Sequence, residues 1–186
     1  MRIKQLLEQS KALLSGHFIL SSGLHSPNYL QCALMLQYPA FAEEAGKLLG
    51  DLFRDLKPTV VVSPALGGVV IGQEVGRALG VRAIFCERTD GPMALRRGFT
   101  LEKGERVVVV EDVVTTGKSV KEVMEVVREF GAETVAVGSL VFRAKENPFG
   151  VDYRHLWQVE FPVHKPEACP LCASGSPAVK PGSRKQ

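Results

Sequence analysis

Residues 107–119 read VVVVEDVVTTGKS: four valines, two carboxylates, two more valines, then a Thr-Thr-Gly-Lys-Ser run. Four consecutive β-branched apolar residues read as a strand buried on both faces, the pattern of a parallel sheet covered by helices. Glycine, hydroxyls and lysine directly after such a strand commonly hold phosphate at the start of the next helix. The acidic pair Glu111 and Asp112 is the anomaly, because two carboxylates repel phosphate brought close to them. The Walker A pattern shares the Gly-Lys-Ser run but needs glycine five residues before Gly117, where this chain has Asp112. Carboxylates do accept hydrogen bonds from vicinal hydroxyls. The stretch therefore suits a sugar phosphate. Glu111 and Asp112 take the ribose 2′ and 3′ hydroxyls, and the backbone N–H groups of Thr115, Thr116, Gly117, Lys118 and Ser119 take a monophosphate.

Outward from this stretch, strands and helices alternate. "TVVVS" (59–63) reads as a strand, "PALGG" as a turn, and a helix follows to Leu79. "VRAIFC" (81–86) and "RVVVVE" (106–111) are further strands. Val120, Val123, Met124, Val127 and Phe130 mark a helix closed by Gly131, and "TVAVGSLVF" (134–142) is the next strand. Ligands of such sheets bind beyond the carboxyl ends of the strands. Upstream, Ile3, Leu6, Leu7, Leu13 and Leu14 fall on one helical face, and "SGHFILSSGLHSPNYLQ" reads as extended. Pro39 opens a helix carrying Phe41, Ala45, Leu48, Leu49, Leu52 and Leu56, closed by Lys57-Pro58. "YRHLWQVEFPV", with the single Trp157, reads as packing near the C-terminal end.

The chain's 186 residues, 45% of them hydrophobic, suffice for one core and predict a single domain, 1–186. A net charge of +3 is small, part of it lies in "KPGSRKQ", which reads as a frayed end, and nothing demands nucleic acid. Four cysteines, no N-terminal apolar signal segment and no run long enough to span a bilayer predict a cytoplasmic protein without a membrane partner.

The acidic-pair stretch, in its strand-loop-helix context, resembles the phosphoribosyl diphosphate signature of the type I phosphoribosyltransferases. The resemblance runs from about Thr59 to Phe142, and "GHFILSSGLHSPNYL" resembles the N-terminal hood of the orotate-specific branch of that family. It implies an α/β fold: a doubly wound parallel sheet, with a small hood from the N-terminal segment (about 1–36) and the C-terminal tail, over a core of about 37–145. It also implies Mg2+-dependent transfer of ribose 5-phosphate from 5-phosphoribosyl 1-diphosphate to orotate, in a homodimer whose subunits share a loop. Glu111, Asp112 and Arg88 are the implied catalytic residues. The resemblance implies that residues 111–119, Val113 and Val114 included, bind phosphoribosyl diphosphate together with Arg88 and the turn Ala65, Leu66, Gly67 and Gly68, which resembles the family's pyrophosphate loop. Thr115, Arg143, Ser22 and Gly23 are the implied orotate contacts. Two other classes remain open: a purine-base transferase of the same fold, and a non-catalytic regulator sensing phosphoribosyl diphosphate. The regulator would need a basic recognition helix that the first fifty residues lack.

Residues 87–105, "ERTDGPMALRRGFTLEKGE", show no period and read as a lid. Arg88 matches the arginine that begins the family's loop, but Thr89 stands where lysine usually follows, and the Lys-x-His element is absent. Arg96, Arg97 and Lys103 are the candidate replacement cations. Ser21 stands where many orotate enzymes carry lysine. His17 and His25 read as packed or surface histidines. Cys169 and Cys172 have metal-ligand spacing with His164 as a possible third ligand, yet one C-x-x-C fits reduced surface thiols, structural zinc or a redox pair, so no metal ligand is assigned. Cys32 and Cys86 lie among apolar neighbours and read as core.

Overall fold

The computed structural model describes residues 2–20, 22–88 and 91–181. Ser21 and Thr89, two positions where the chain departs from the family pattern, lie outside the described residues, as do the last five residues of the tail.

The valine strands build one six-stranded sheet. β3 (Val60–Pro64), β4 (Arg82–Glu87), β6 (Arg106–Val114), β7 (Glu133–Phe142) and β8 (Asp152–Gln158) run parallel, and the two-residue β5 (Ala94–Leu95) pairs antiparallel on the edge of β4. The order is β5-β4-β3-β6-β7-β8. Period-two alternation splits the valines between two cores. Val108 and Val110 pack with Ile71 and Val75 of α4 (Gly67–Leu79) and Leu49 of α3 (Pro39–Asp51), whereas Val107 and Val109 pack with Val120, Val123 and Val127 of α5 (Lys118–Glu129). The sheet is thus covered on both faces, as a doubly wound α/β fold requires.

Several boundaries differ from the sequence reading. The first helix, α1, covers only Arg2–Gln9. Lys11 adopts a left-handed φ of 57°, Ser10 Oγ donates to the Leu6 carbonyl at 2.7 Å, and Ala12 N–H reaches the Leu7 carbonyl at 2.8 Å, which closes the helix before Leu13 and Leu14. Those two leucines start β1 (Leu13–Ile19), which forms an antiparallel hairpin with β2 (His25–Leu30). A four-residue helix, α2 (Ala33–Leu36), precedes α3. α3 stops at Asp51 rather than Leu56 because the chain turns to seat the fully buried Phe53 against Gly138 of β7. "YRHLWQ" is not mere packing: it is the strand β8, so the sheet extends past residue 145.

The expected lid is shorter than residues 87–105. Met93 and Leu101 are buried in the α5-side core, β5 pairs with Cys86 and Glu87, and Phe99 packs edge-on against Phe85 with centroids 5.2 Å apart. Most of this segment is fixed by apolar contact, which the absence of a period concealed. The hairpin β1–β2 stands apart from the main sheet and meets the C-terminal segment, where Phe18 bridges to Val179 and His25 to His164. Cys32 and Cys86 are buried. Among the described residues, no helix is long and apolar enough to cross a membrane.

Candidate active site

β3 and β6 are neighbours, but the chain leaves β3 through α4 toward β4 and leaves β6 through α5 toward β7, on the other side. Their carboxyl ends therefore frame a topological switch point, where a crevice opens. β3 pairs with β6 only as far as Val62 and Val109, while β6 continues beside β7 to Val114. Glu111 and Asp112 stand on the part of β6 that has lost its β3 neighbour.

Gly67 and Gly68, which begin α4 after the Ala65-Leu66 turn, press directly on this pair. A Cβ on Gly67 would lie 2.8 Å from Asp112 Oδ1, and one on Gly68 would lie 2.8 Å from the Val110 carbonyl and 3.1 Å from Glu111 Oε1. The glycines are thus needed for close approach. The Asp112 N–H donates to Glu111 Oε1 at 3.2 Å, and the Val113 N–H donates to Asp112 Oδ1 at 2.8 Å. Burial pushes the Glu111 carboxyl up to about 9, with the charge of Asp112 adding to the shift, and burial likewise raises Asp112. Cys32 beneath them is raised by its own burial and then by both carboxylates.

After Val114 the chain bends through Thr115 and Thr116 to Gly117, whose φ of 73° lies in the left-handed region and whose missing Cβ leaves room for Phe149. α5 starts at Lys118. The N–H groups of its first turn have no acceptor within the helix, and they open on a cradle lined by Glu111 and residues 113–120. The geometry suits an anion: helix-start N–H groups of which Lys118 reaches only the Thr116 hydroxyl at 3.4 Å, the positive end of a twelve-residue helix, and a carboxylate at the rim.

On the other side of Val114 lies Arg143. Its backbone N–H donates to the Val114 carbonyl at 2.8 Å, and its guanidinium lies 4.9 Å from the centre of the Phe161 ring. Arg143 Nε is buried with no partner, and burial pulls the group below the usual arginine range. Arginine stays protonated in proteins, so this is a half-buried cation that makes no ion pair among the described residues, the nearby Glu160 carboxylate lying 3.8 Å from Lys145 Nζ. It lines a pocket with Ala144, Lys145, Glu160, Phe161 and Val163. Ser26 of the hood ties to the same wall by donating its Oγ hydrogen to the Pro162 carbonyl at 2.9 Å. Ser22 and Gly23 form the exposed tip of the hairpin, with Gly23 N–H donating to the Leu20 carbonyl.

Residues 34–160 match the family model described as the phosphoribosyl transferase domain. The chain is 50% identical to the orotate phosphoribosyltransferase of Thermotoga maritima over 183 residues, covering 98% of each. It is 48% identical to that of Caldanaerobacter subterraneus subsp. tengcongensis, covering 99% of this chain and 97% of the relative. The chain belongs to the orotate phosphoribosyltransferase family. The crystal structure of orotate phosphoribosyltransferase from Aeropyrum pernix superposes with a TM-score of 0.71 at 26% identity, covering 86% of this chain and 94% of that one.

The candidate loop cations fall in different places. Arg88 is exposed and paired with Glu122 of α5. Arg97 pairs with Glu87 at 2.9 Å and covers the Phe85 ring, while Arg96 is exposed. Lys103 is not at the cleft: it leads into β6 and packs beside Gly131, which leads toward β7. It is at the amino end of the sheet, at least five residues of strand, about 16 Å, from Glu111. The reading also missed Glu122 and Phe161, the partners that hold Arg88 and Arg143. The side chains that come together with Cys169 and Cys172 are those of His17 and His25 rather than His164, whose backbone pairs with that of His25.

Proposed function

We propose that the chain performs the reaction its family is named for: it transfers the 5-phosphoribosyl group from 5-phosphoribosyl 1-diphosphate to orotate, giving orotidine 5′-monophosphate and diphosphate in pyrimidine biosynthesis. The observation that carries this reading is the juxtaposition on neighbouring strand ends of a carboxylate pair, a helix-start anion cradle and the unpaired Arg143. The cradle takes the 5′-phosphate on residues 115–119, and Glu111 and Asp112 take the ribose 2′ and 3′ hydroxyls. As the C1′–O bond breaks, its electron pair leaves with diphosphate, and orotate N1 forms the new bond to C1′ while its proton departs. While that bond breaks, positive charge develops on the ribose ring, beside the carboxyl groups of Glu111 and Asp112 that hold its hydroxyls.

The diphosphate lies toward the turn Ala65, Leu66, Gly67 and Gly68, where the Ala65 N–H is held by the Cys86 carbonyl at 2.8 Å and the N–H groups that follow face an approaching anion. Arg88, released from Glu122, completes the neutralisation, Arg96 and Arg97 add positive charge from the anchored stretch after β5, and the loop serves the neighbouring subunit of a homodimer. Glu111 and Asp112 have no cation partner among the described residues and are raised by burial, which fits a divalent cation arriving with substrate. Mg2+ would be held mostly by substrate oxygens with these carboxylates nearby, and it would supply neutralisation of the diphosphate. The whole chain acts as one domain of core and hood, in the cytoplasm, on small molecules.

Arg143 decides the base. Orotate carries a carboxylate that pairs with a buried guanidinium; a purine base leaves it unpaired. The regulator reading has no support in α1, an eight-residue helix whose Ile3, Leu6 and Leu7 are buried. Pyrophosphate release measured with orotate, uracil, adenine, guanine and xanthine tests the proposal. Orotate is expected to be used at least about a hundredfold better than any other base, and faster turnover of a purine would overturn the reading.

A further inference from the structure

The hood contains a second cluster that the transfer reaction does not use. His17 of β1, His25 of β2, and Cys169 and Cys172 around α6 (Pro170–Ala173) bring one ligand atom each to within 4.8 Å of one another. His17, His25 and Cys169 are buried, and Cys172 closes the outer side. His17 Nε2 lies 2.8 Å from His25 Nδ1, 3.6 Å from Cys169 Sγ and 3.7 Å from Cys172 Sγ, and Cys172 Sγ lies 3.3 Å from His25 Nδ1.

These separations are those of a small coordination polyhedron. A tetrahedral zinc ion with Zn–N of about 2.0–2.1 Å and Zn–S of about 2.3 Å sets N···S edges of about 3.5 Å. The three N···S distances, 3.3–3.7 Å, bracket that value. The N···N edge is short and opens by about 0.5 Å around an ion, and the two remaining edges, His25–Cys169 and Cys169–Cys172, lie within 4.8 Å. The second contact of His17 points the same way. Its Nδ1 faces the Ser176 carbonyl at 2.8 Å. A carbonyl only accepts, so Nδ1 carries the proton and Nε2 presents its lone pair to the cluster, the outer-sphere arrangement that fixes metal-binding imidazoles.

We propose that His17, His25, Cys169 and Cys172 form a closed, structural Zn2+ site that fastens the C-terminal segment to the hood hairpin. Two thiolates and two neutral imidazoles suit Zn2+, and four protein ligands leave no open position for catalysis. Binding transfers the two thiol protons to solvent and leaves the ion's charge balanced by two thiolates. The site joins segments 152 positions apart. It adds to the backbone bonds that already hold the tail, in which Val179 N–H donates to the His17 carbonyl at 2.9 Å and Ile19 N–H to the Val179 carbonyl at 2.8 Å. His17 and His25 flank the turn that carries Ser22 and Gly23, so the ion fixes the base of the hood tip. The metal site stands on its own geometry, independent of which base the enzyme uses.

The test is metal analysis of the full chain purified without chelator from zinc-supplemented cells. About one zinc per chain is expected in the wild type, and below about a tenth in Cys172→Ser. Cobalt added to demetallated wild type should give the visible ligand-field bands of a tetrahedral site with sulfur-to-metal charge transfer. To separate metal loss from any folding defect of Cys172→Ser, the wild type is also followed alone: a strong chelator should lower its Tm, and zinc should restore it. A metal-free wild type with no cobalt spectrum would overturn the proposal. So would undiminished zinc in Cys172→Ser, or a Cys169–Cys172 disulfide in the native protein, seen as the loss of two hydrogens from the unreduced peptide.

Discussion

The phosphate cradle and the hood are built in opposite ways. The cradle and its acidic rim come from consecutive residues on one strand, one turn and one helix start, Glu111 to Val120, fixed by the parallel pairing of β6 with β7. The hood takes two hairpin arms from the first thirty residues and a short helix from the far end of the chain, held by the His25–His164 and Phe18–Val179 bridges and by the four-residue cluster. A site made of neighbours in sequence is carried by backbone geometry and tolerates little change in its own residues. A site made of distant segments depends on what ties those segments together. Arg143 joins the two regions, since its backbone binds β6 and its side chain rests on Phe161, beside the Pro162 carbonyl that accepts from Ser26 of the hood.

The largest expected effect strikes the contiguous side. Asp112→Asn keeps shape but removes an acceptor and a charge where the ribose ring becomes positive. Turnover should fall by tens to thousands of fold, about 2–4 kcal/mol, with Tm unchanged or raised. Steady-state kinetics beside thermal melting check this, and wild-type kinetics would detach the carboxylates from the ribose.

Arg143→Ala tests the joint between the regions. The preference for orotate over uracil should drop by about a hundredfold, roughly 3 kcal/mol, while the affinity for phosphoribosyl diphosphate stays within about threefold. An unchanged base ratio would transfer the reading of the carboxylate to the backbone of the hood tip.

The smallest effect concerns pH. Folded Glu111 holds its proton to about 9, whereas an unperturbed carboxyl releases it near 4.5. Between those values the folded state binds more protons than the unfolded one, so stability falls as pH rises. Glu111→Gln should flatten that decline and raise Tm by a few degrees near the upper end of the window. Parallel pH–Tm curves for wild type and variant would mean that the carboxyl is not held protonated by its surroundings.

The same contrast explains what the amino-acid order revealed. Val107–Val110 announce a strand buried on both faces, Gly117 the left-handed turn, and Val120, Val123 and Val127 the helix, each through a local constraint. β8 was hidden because Tyr153, His155 and Trp157 lie only half-buried at the sheet edge and follow no apolar alternation. The end of α1 depends on Lys11 accepting a left-handed conformation, which no glycine marks. The loop between β4 and β6 lacks a period although Met93 and Leu101 are core residues, because isolated anchors carry no repeat. The partnership of His17 and His25 with Cys169 and Cys172 follows from the hairpin register and the bridge at His164, both of which are long-range pairings.

The central claim is that the cradle holds the 5′-phosphate while the acidic pair holds the ribose hydroxyls. A crystal structure of the chain with 5-phosphoribosyl 1-diphosphate and Mg2+ tests it most directly. The account predicts the 5′-phosphate oxygens within about 2.7–3.2 Å of N–H groups of residues 115–119, and the 2′ and 3′ hydroxyls within the same range of Glu111 and Asp112. A diphosphate group seated in the cradle, with the two carboxylates touching no ribose oxygen, would contradict it.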